Sequence, residues 1–290
     1  MMVSLAMRIV QALALISILP ATVWSIPSSS SPVLAGPIGK DCTIGSIHEG
    51  TPTGKNITIA GVPTYYSEPP HSKDGKNSTT KVILFFSDIF GAFYINNELL
   101  MDYFAAQGYH VLALDYFLGD PVGLHTNANL EPFDPSFDLN AWVEKSRKQA
   151  EAVTQPWIDA VKKRYGAKAK YTAVGYCFGG PYVMDIAATD GVVAGAFAHP
   201  SGLTEDHFNK LKKPLLLSCA ETDTAFPAES RRRAEDILAA SHATYHSQLF
   251  SNVTHGFATR GNLTVENELW AKEESARSVI GWFDRFTIQK

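Results

Sequence analysis

The run AVGYCFGG, Ala173 to Gly180, decides how the rest of the chain is read. With Tyr171 and Thr172 before it, it opens as a short apolar segment rich in strand-favouring residues, and a helical pattern follows Gly180. Between the two lie Gly175, Cys177 and Gly179 at alternate positions. Small residues flanking one central side chain permit a sharp strand-to-helix turn that lifts that side chain above a sheet, a place where hydrolytic enzymes often carry Gly-x-Ser-x-Gly. Here the centre is a cysteine. It is open to three readings: a buried structural thiol, a disulfide partner, or a nucleophile in serine's place. A sulfur at a helix N-terminus meets partial positive charge, which favours the thiolate, and a thiolate is a strong nucleophile. The turn therefore points to the nucleophile.

Outward from this turn, apolar strand-like runs alternate with helical patterns. Upstream, Val82–Ser87 (VILFFS) reads as a strand, Tyr94–Gly108 as a helix stopped by its glycine, and Tyr109–Phe117 as a second strand. A Gly/Pro/Asn-rich loop leads to a charged helix over Ala141–Tyr165, which Pro156 is expected to kink or split. Downstream, strands are expected in VVAGAFAHP, PLLLSCAE and ATYHSQLFS, with a helix at ESRRRAEDILAAS and a terminal helix from Val265 to Phe286. Strands buried on both faces and alternating with helices imply an α/β fold, a mostly parallel central sheet flanked by helices on both faces. No linker interrupts the block, so residues 41–290 are read as one domain. The polar stretch Pro69–Lys81 is a surface loop between strands.

The N-terminus is of another kind. Arg8 precedes an apolar run from Ile9 to Leu19, then Pro20 and Val23-Trp24-Ser25. A run of roughly a dozen residues is too short to span a bilayer comfortably and fits a secretory signal peptide cleaved near Ser25. Residues 26–40, rich in Ser, Pro and Gly, read as a flexible leader. Four sequons, at Asn56, Asn77, Asn252 and Asn262, agree with a secreted glycoprotein. A formal net charge of -4 with no basic tract argues against nucleic acid as a partner. No later segment has the length of a stable membrane span. No metal-ligand spacing and no phosphate-cradling Gly loop is present, so neither metal nor cofactor is expected.

A nucleophile needs a base and the base an orienter. In hydrolases that carry this turn the chain order is nucleophile, acid, histidine. His255, in NVTHGF between the last strand and the terminal helix, sits where the base belongs; His242 and His246 flank the strand itself. In CAETDTAFP, Asp223 is the first choice for the acid and Glu221 the second. Of the other two cysteines, Cys219 ends an apolar run and reads as a core residue, and Cys42 lies near the mature N-terminus. An odd count leaves at least one thiol free, and a Cys42–Cys219 bridge stays open.

GYCFGG, ETDTAFP and THGF, in that order, resemble the dienelactone hydrolase family, as do FFSDIFG at Phe85–Gly91, LALDYFLGDP, and GTPTGKNITIAGVPTYYSEP near the N-terminus. The resemblance runs from about Asp41 to the C-terminus. It implies an α/β-hydrolase fold with a Cys-Asp-His triad of Cys177, Asp223 and His255, and an oxyanion hole from the backbone N–H groups of Ile89 and Phe178. It also implies a small-molecule lactone or ester substrate and an acyl-thioester intermediate. Asp88 stands where well-studied bacterial members have a glutamate that contacts the resting cysteine; its alternative is a loop carboxylate bonded to backbone amides. Arg260 lies one place out of register with an arginine those enzymes use to hold a substrate carboxylate, so a carboxylated, muconolactone-type substrate is not assumed. His199, ending a strand, is placed at the pocket rim, either touching substrate or making a structural hydrogen bond. Two other functions stay open: a carboxylesterase or thioesterase acting on another acyl substrate, and a non-catalytic secreted binding protein on the same fold.

Overall fold

A computed structural model describes residues 31–70, 79–127, 134 and 136–288; the expected signal peptide and Asn77 lie outside them. In chain order the elements are β1 (Val33–Ala35), β2 (Lys55–Ile59), β3 (Val62–Ser67), β4 (Lys81–Phe86), α1 (Ile95–Ala106), β5 (His110–Leu114), α2 (Leu139–Tyr165), β6 (Lys170–Tyr176) and α3 (Gly180–Ala187). Then follow β7 (Ala194–Ala198), β8 (Leu203–Thr204), α4 (Glu205–Asn209), β9 (Leu215–Thr222), α5 (Ala228–Ala240), β10 (Tyr245–Thr254), α6 (Phe257–Arg260) and α7 (Glu266–Thr287).

Eight strands form one sheet in the order β10-β9-β7-β6-β4-β5-β3-β2. The six from β10 to β5 are parallel, and the β2–β3 hairpin adds an antiparallel edge beside β5. The period of two along each strand splits the core into two layers. Val82, Leu84 and Phe86 of β4 face one layer with Trp157 of α2, Val183 of α3 and Leu238 of α5. Ile83 and Phe85 face the other with Phe104 of α1 and Phe283 of α7. Each such side chain fully removed from water contributes about 1.5–3 kcal/mol. Helices thus cover both faces, as the buried apolar runs require.

After β4 the chain leaves by α1 to β5 on one side; after β6 it leaves by α3 to β7 on the other. The two adjacent loops part in opposite directions and open a crevice at the strands' carboxyl ends, the usual ligand site of such sheets. Both loops carry residues singled out in the sequence.

Two expectations are corrected. Helix α2 is not split in two at Pro156 but runs through it as one helix. The carbonyl that loses its partner belongs to Ala152, which like Pro156 is exposed, so water can satisfy it. The expected leader is also structured in its second half. Val33–Ala35 pair antiparallel with β8, and Leu34, Ala35 and Ile38 are buried, so the packed fold begins by residue 33 rather than at Asp41. The surrounding Ser, Pro and Gly hid a three-residue apolar run too short to show a period.

Candidate active site

The strand-to-helix turn around Cys177 is built as its glycines demand. A Cβ on Gly175 would lie 2.5 Å from the carbonyl oxygen of Gly179, and one on Gly179 would run into the carbonyl of Phe86. Cys177 takes a left-handed backbone with φ 49°, a conformation that costs a non-glycine residue roughly 1–3 kcal/mol. It starts a 3-10 turn, Cys177–Gly179, that runs into α3. From α2, Arg147 braces the turn: its Nη1 donates to the Phe178 carbonyl at 2.9 Å and its guanidinium lies 3.7 Å over the Phe178 ring.

Sheet register places the other groups. Thr222 of β9 pairs with Thr254 of β10, so the next residue of each strand, Asp223 and His255, comes out side by side. Asp223 Oδ1 lies 2.9 Å from His255 Nδ1 and also accepts from the backbone N–H groups of Ala225 and Phe226. These contacts fix the ring so that Nε2 points into the crevice. Glu221 is exposed and accepts from the Asn252 N–H instead, so the carboxylate beside the histidine is Asp223. His242 and His246 are exposed. His199 is wholly buried, and neither of its ring nitrogens has a partner among the described residues. Its ring stands edge-on to that of His255 with centroids 5.0 Å apart, so it belongs to the site without the structural hydrogen bond weighed for it.

Ile89 and Phe178 are placed on the loops after β4 and β6. The Ile89 N–H has no acceptor among the described residues, and that of Phe178 lies in a first helical turn, where backbone donors lack intrahelical partners. Asp88 does not serve the sulfur. Its Oδ1 accepts from the Phe90 N–H at 3.1 Å and Asn97 Nδ2 at 3.0 Å, and its Oδ2 from Thr259 Oγ1 at 2.9 Å and from Arg260 Nη1. All four bonds hold a carboxylate already fully engaged. Burial is complete for both side chains of the Asp88–Arg260 pair.

Sequence reasoning missed two members of the site. Cys42 is neither peripheral nor bridged to Cys219; all three cysteines are free and buried. The Cys42 sulfur lies 3.4 Å from His255 Nε2, across 213 residues of chain. Arg260 holds it there. Beyond its bond to Asp88, Arg260 donates through Nη2 to the Cys42 carbonyl at 2.9 Å and through Nε to the Ile44 carbonyl at 3.3 Å. Asn96 completes the lacing, with Nδ2 on the carbonyls of Ser46 and Thr259 and Oδ1 accepting from the His48 N–H. No local pattern marks Cys42, since its neighbours in the site come from the far end of the chain. For Arg260 the one signal was its distance from His255.

The charges follow from this packing. The Cys177 thiol's hydrogen bond pulls Cys42 well below the ordinary thiol value, and although burial opposes this, the His255 charge reinforces it. Burial pushes Cys177 well above its ordinary value, and the Cys42 sulfur adds to that. Burial alone would depress His255, but Cys42 and Asp223 outweigh it and hold the imidazole up at about 10. These shifts favour negative charge on Cys42 over Cys177 and positive charge on His255, and the Cys177 sulfur also lies 3.9 Å from Ser201 Oγ.

Of the sequons, Asn56 and Asn252 are exposed and Asn262 is half-buried. No described helix is long and apolar enough to cross a membrane.

The family pattern described as "dienelactone hydrolase family" matches residues 66–287. The chain is 42% identical over 258 residues to dienlactone hydrolase 1 of Gibberella moniliformis, covering 88% of this chain and 96% of that one. It is 27% identical over 258 residues to the carboxymethylenebutenolidase homolog of Mus musculus, covering 84% and 96%. Among solved structures, a putative dienelactone hydrolase from Klebsiella pneumoniae superposes with a TM-score of 0.61 at 18% identity, over 81% of this chain and 99% of that one, a likeness of fold.

Proposed function

Because this chain belongs to the dienelactone hydrolase family, we propose that it hydrolyses a lactone or small carboxylic ester through Cys177. The observation that carries this reading is the Asp223–His255 hydrogen bond at 2.9 Å beside a cysteine raised on a strained strand-to-helix turn. Cys42 supplies the first proton acceptor. Its thiolate takes the proton of the Cys177 thiol, and the Cys177 thiolate so formed attacks the carbonyl carbon. The carbonyl π electrons move to oxygen, and the N–H groups of Ile89 and Phe178 hold the oxyanion, each donor supplying about 3 kcal/mol of barrier lowering by analogy with other oxyanion holes. Collapse expels the alkoxide, which takes its proton from the His255 imidazolium. The products are an acyl-thioester on Cys177 and a neutral His255. That imidazole then accepts a proton from water as the water attacks the thioester. Cys177 leaves as thiolate and recovers its proton from Cys42, which restores the resting charges.

Arg260 bears on the substrate. Its guanidinium is spent on Asp88 and two backbone carbonyls, so it cannot also hold a substrate carboxylate. We therefore assign a neutral lactone or ester. The protein acts as a secreted glycoprotein, a reading supported by the Met1–Ser25 pattern and the exposed Asn56.

Hydrolysis of a dienelactone, simple aryl esters and a thioester by the mature chain, beside Cys177→Ala, tests the proposal. Activity on the neutral esters or lactone that disappears in the variant is expected. Equal turnover by both proteins would remove Cys177 from the reaction.

A further inference from the structure

One nucleophile and one base suffice for ester hydrolysis, yet this crevice holds two thiols and an imidazole in contact. The Sγ atoms of Cys42 and Cys177 and Nε2 of His255 all lie within 4.8 Å of one another, and all three residues are buried. They arrive on three separate elements: the 3-10 turn Lys40–Thr43, the turn after β6 and the loop after β10. That is why no ligand spacing was legible in the sequence. Two sulfurs and one imidazole nitrogen form a donor set that suits zinc and related soft divalent cations.

The distances fit. Zn–S bonds of about 2.3 Å and Zn–N bonds of about 2.0–2.1 Å at tetrahedral angles place the donors roughly 3.5–3.8 Å apart. Cys42 and His255 are already at 3.4 Å, and closing the remaining gap takes a movement of about 1 Å. A Cys42–Cys177 disulfide would need the sulfurs about 1.7 Å closer than a metal does. The support behind the ligands is also in place. Asp223 accepts from His255 Nδ1, the carboxylate–histidine arrangement that aims Nε2 at a metal, and Arg260 pins the Cys42 backbone. Charge balances too. A dication between two thiolates is neutral, so it adds no net charge to a buried site. Beside the same ring stands His199, a fully buried imidazole with no partner among the described residues.

We propose that Cys42, Cys177 and His255 bind one zinc ion, or a similar soft divalent cation such as cadmium, and that an occupied site cannot hydrolyse esters. The ligands bind as two thiolates and a neutral imidazole, so whatever protons they carry pass to solvent as the dication enters. The metal then holds the electron pairs that nucleophile and base would use. Three protein ligands leave the fourth position open to water or an exogenous ligand.

The test is a titration of the reduced, metal-free mature chain with cadmium, read by the ultraviolet thiolate-to-cadmium absorption band and by metal content. Saturation at one equivalent is expected. Cys42→Ser and Cys177→Ser should each weaken binding at least by the roughly 10–100-fold that loss of even an outer partner costs a metal site. Cys219→Ser, in the core layer under α5, should bind as the unaltered chain does. No band at one equivalent, or a band unchanged in both active-site variants, overturns the proposal. A second measurement needs no substitution: zinc, but not magnesium, should slow iodoacetamide labelling of both Cys42 and Cys177 at least tenfold. Equal labelling with and without zinc would also overturn it. Neither readout requires turnover, so a chain that takes up cadmium but cleaves no ester sinks the hydrolase reading and keeps this one.

Discussion

Replacing Arg260 with methionine takes out the charged side chain that joins the N-terminal segment, the loop after β4 and the loop after β10. The native guanidinium and the Asp88 carboxylate are both wholly buried. Asp88 would keep its bonds to Thr259, Asn97 and the Phe90 N–H but lose its counter-charge. The carbonyls of Cys42 and Ile44 would lose their donors. Removing one partner of a buried pair costs about 3–5 kcal/mol, because the other charge stays behind without compensation. At about 2–4 °C per kcal/mol for a domain of this size, the thermal midpoint should fall by roughly 6–20 °C. The assay is thermal unfolding of four proteins: the chain, Arg260→Met, Asp88→Asn and the double variant. If the stranded charge dominates, adding Asp88→Asn to Arg260→Met recovers stability, with a coupling of at least about 2 kcal/mol. The freed segment should also show in chemistry, with Cys42 alkylated faster in Arg260→Met than in the unaltered chain. A loss below about 1 kcal/mol in the single variant, or no coupling in the cycle, would refute the account of Arg260 as the tie that seats Cys42.

Asp223→Asn should lower turnover by on the order of 10³–10⁴-fold, because an amide cannot stabilise the imidazolium. Glu221→Gln, which alters an exposed side chain bonded to the Asn252 N–H, should leave turnover within about twofold, and the reverse ranking in steady-state rates would exchange their roles. The thiolate–imidazolium pair also shapes stability against pH. His255 is raised from 6.5 to about 10, so its contribution is complete below 6.5 and is lost as pH rises through 10. Cys42 is held well below 9.0, so its contribution is complete above 9 and is lost as pH falls through its depressed value. Between about 6.5 and 9, wherever the pH lies above the depressed Cys42 value, the two opposite slopes cancel, since the pair carries one proton folded and one unfolded. The difference in unfolding free energy between the chain and Cys42→Ala should therefore be level across that window and shrink on either side. A steady slope through it, in denaturant melts at several pH values, would contradict the ion pair.

The parallel sheet was legible because strands buried on both faces leave continuous apolar runs, and because Gly108 stops α1 with a φ of 91°. Asp223 and His255 were legible for a related reason. Each directly follows a strand, so the pairing of Thr222 with Thr254 sets them side by side once the strands are recognised. Where a residue's role depended on partners outside its own element, the reading was incomplete. Asp88 was weighed as a partner of the sulfur or of backbone amides; it does accept from the Phe90 N–H, but Arg260 and Thr259, some 170 residues away, claim half of its carboxylate.

By itself, then, the sequence determined the layers of the fold, the strained turn that carries Cys177, and the carboxylate and histidine that follow neighbouring strands. These depend on side-chain period, on glycine where a Cβ has no room, and on what directly succeeds a strand, all of which are local. Only the tertiary structure decided that residues 33–48 are part of the working end of the molecule, that Arg260 is a tie rather than a substrate clamp, and that the thiol nearest the histidine is Cys42. The physical reason is that a segment of irregular backbone has no period to announce its place. Its position is set by hydrogen bonds from Arg260 and Asn96, groups that chain folding alone brings within reach.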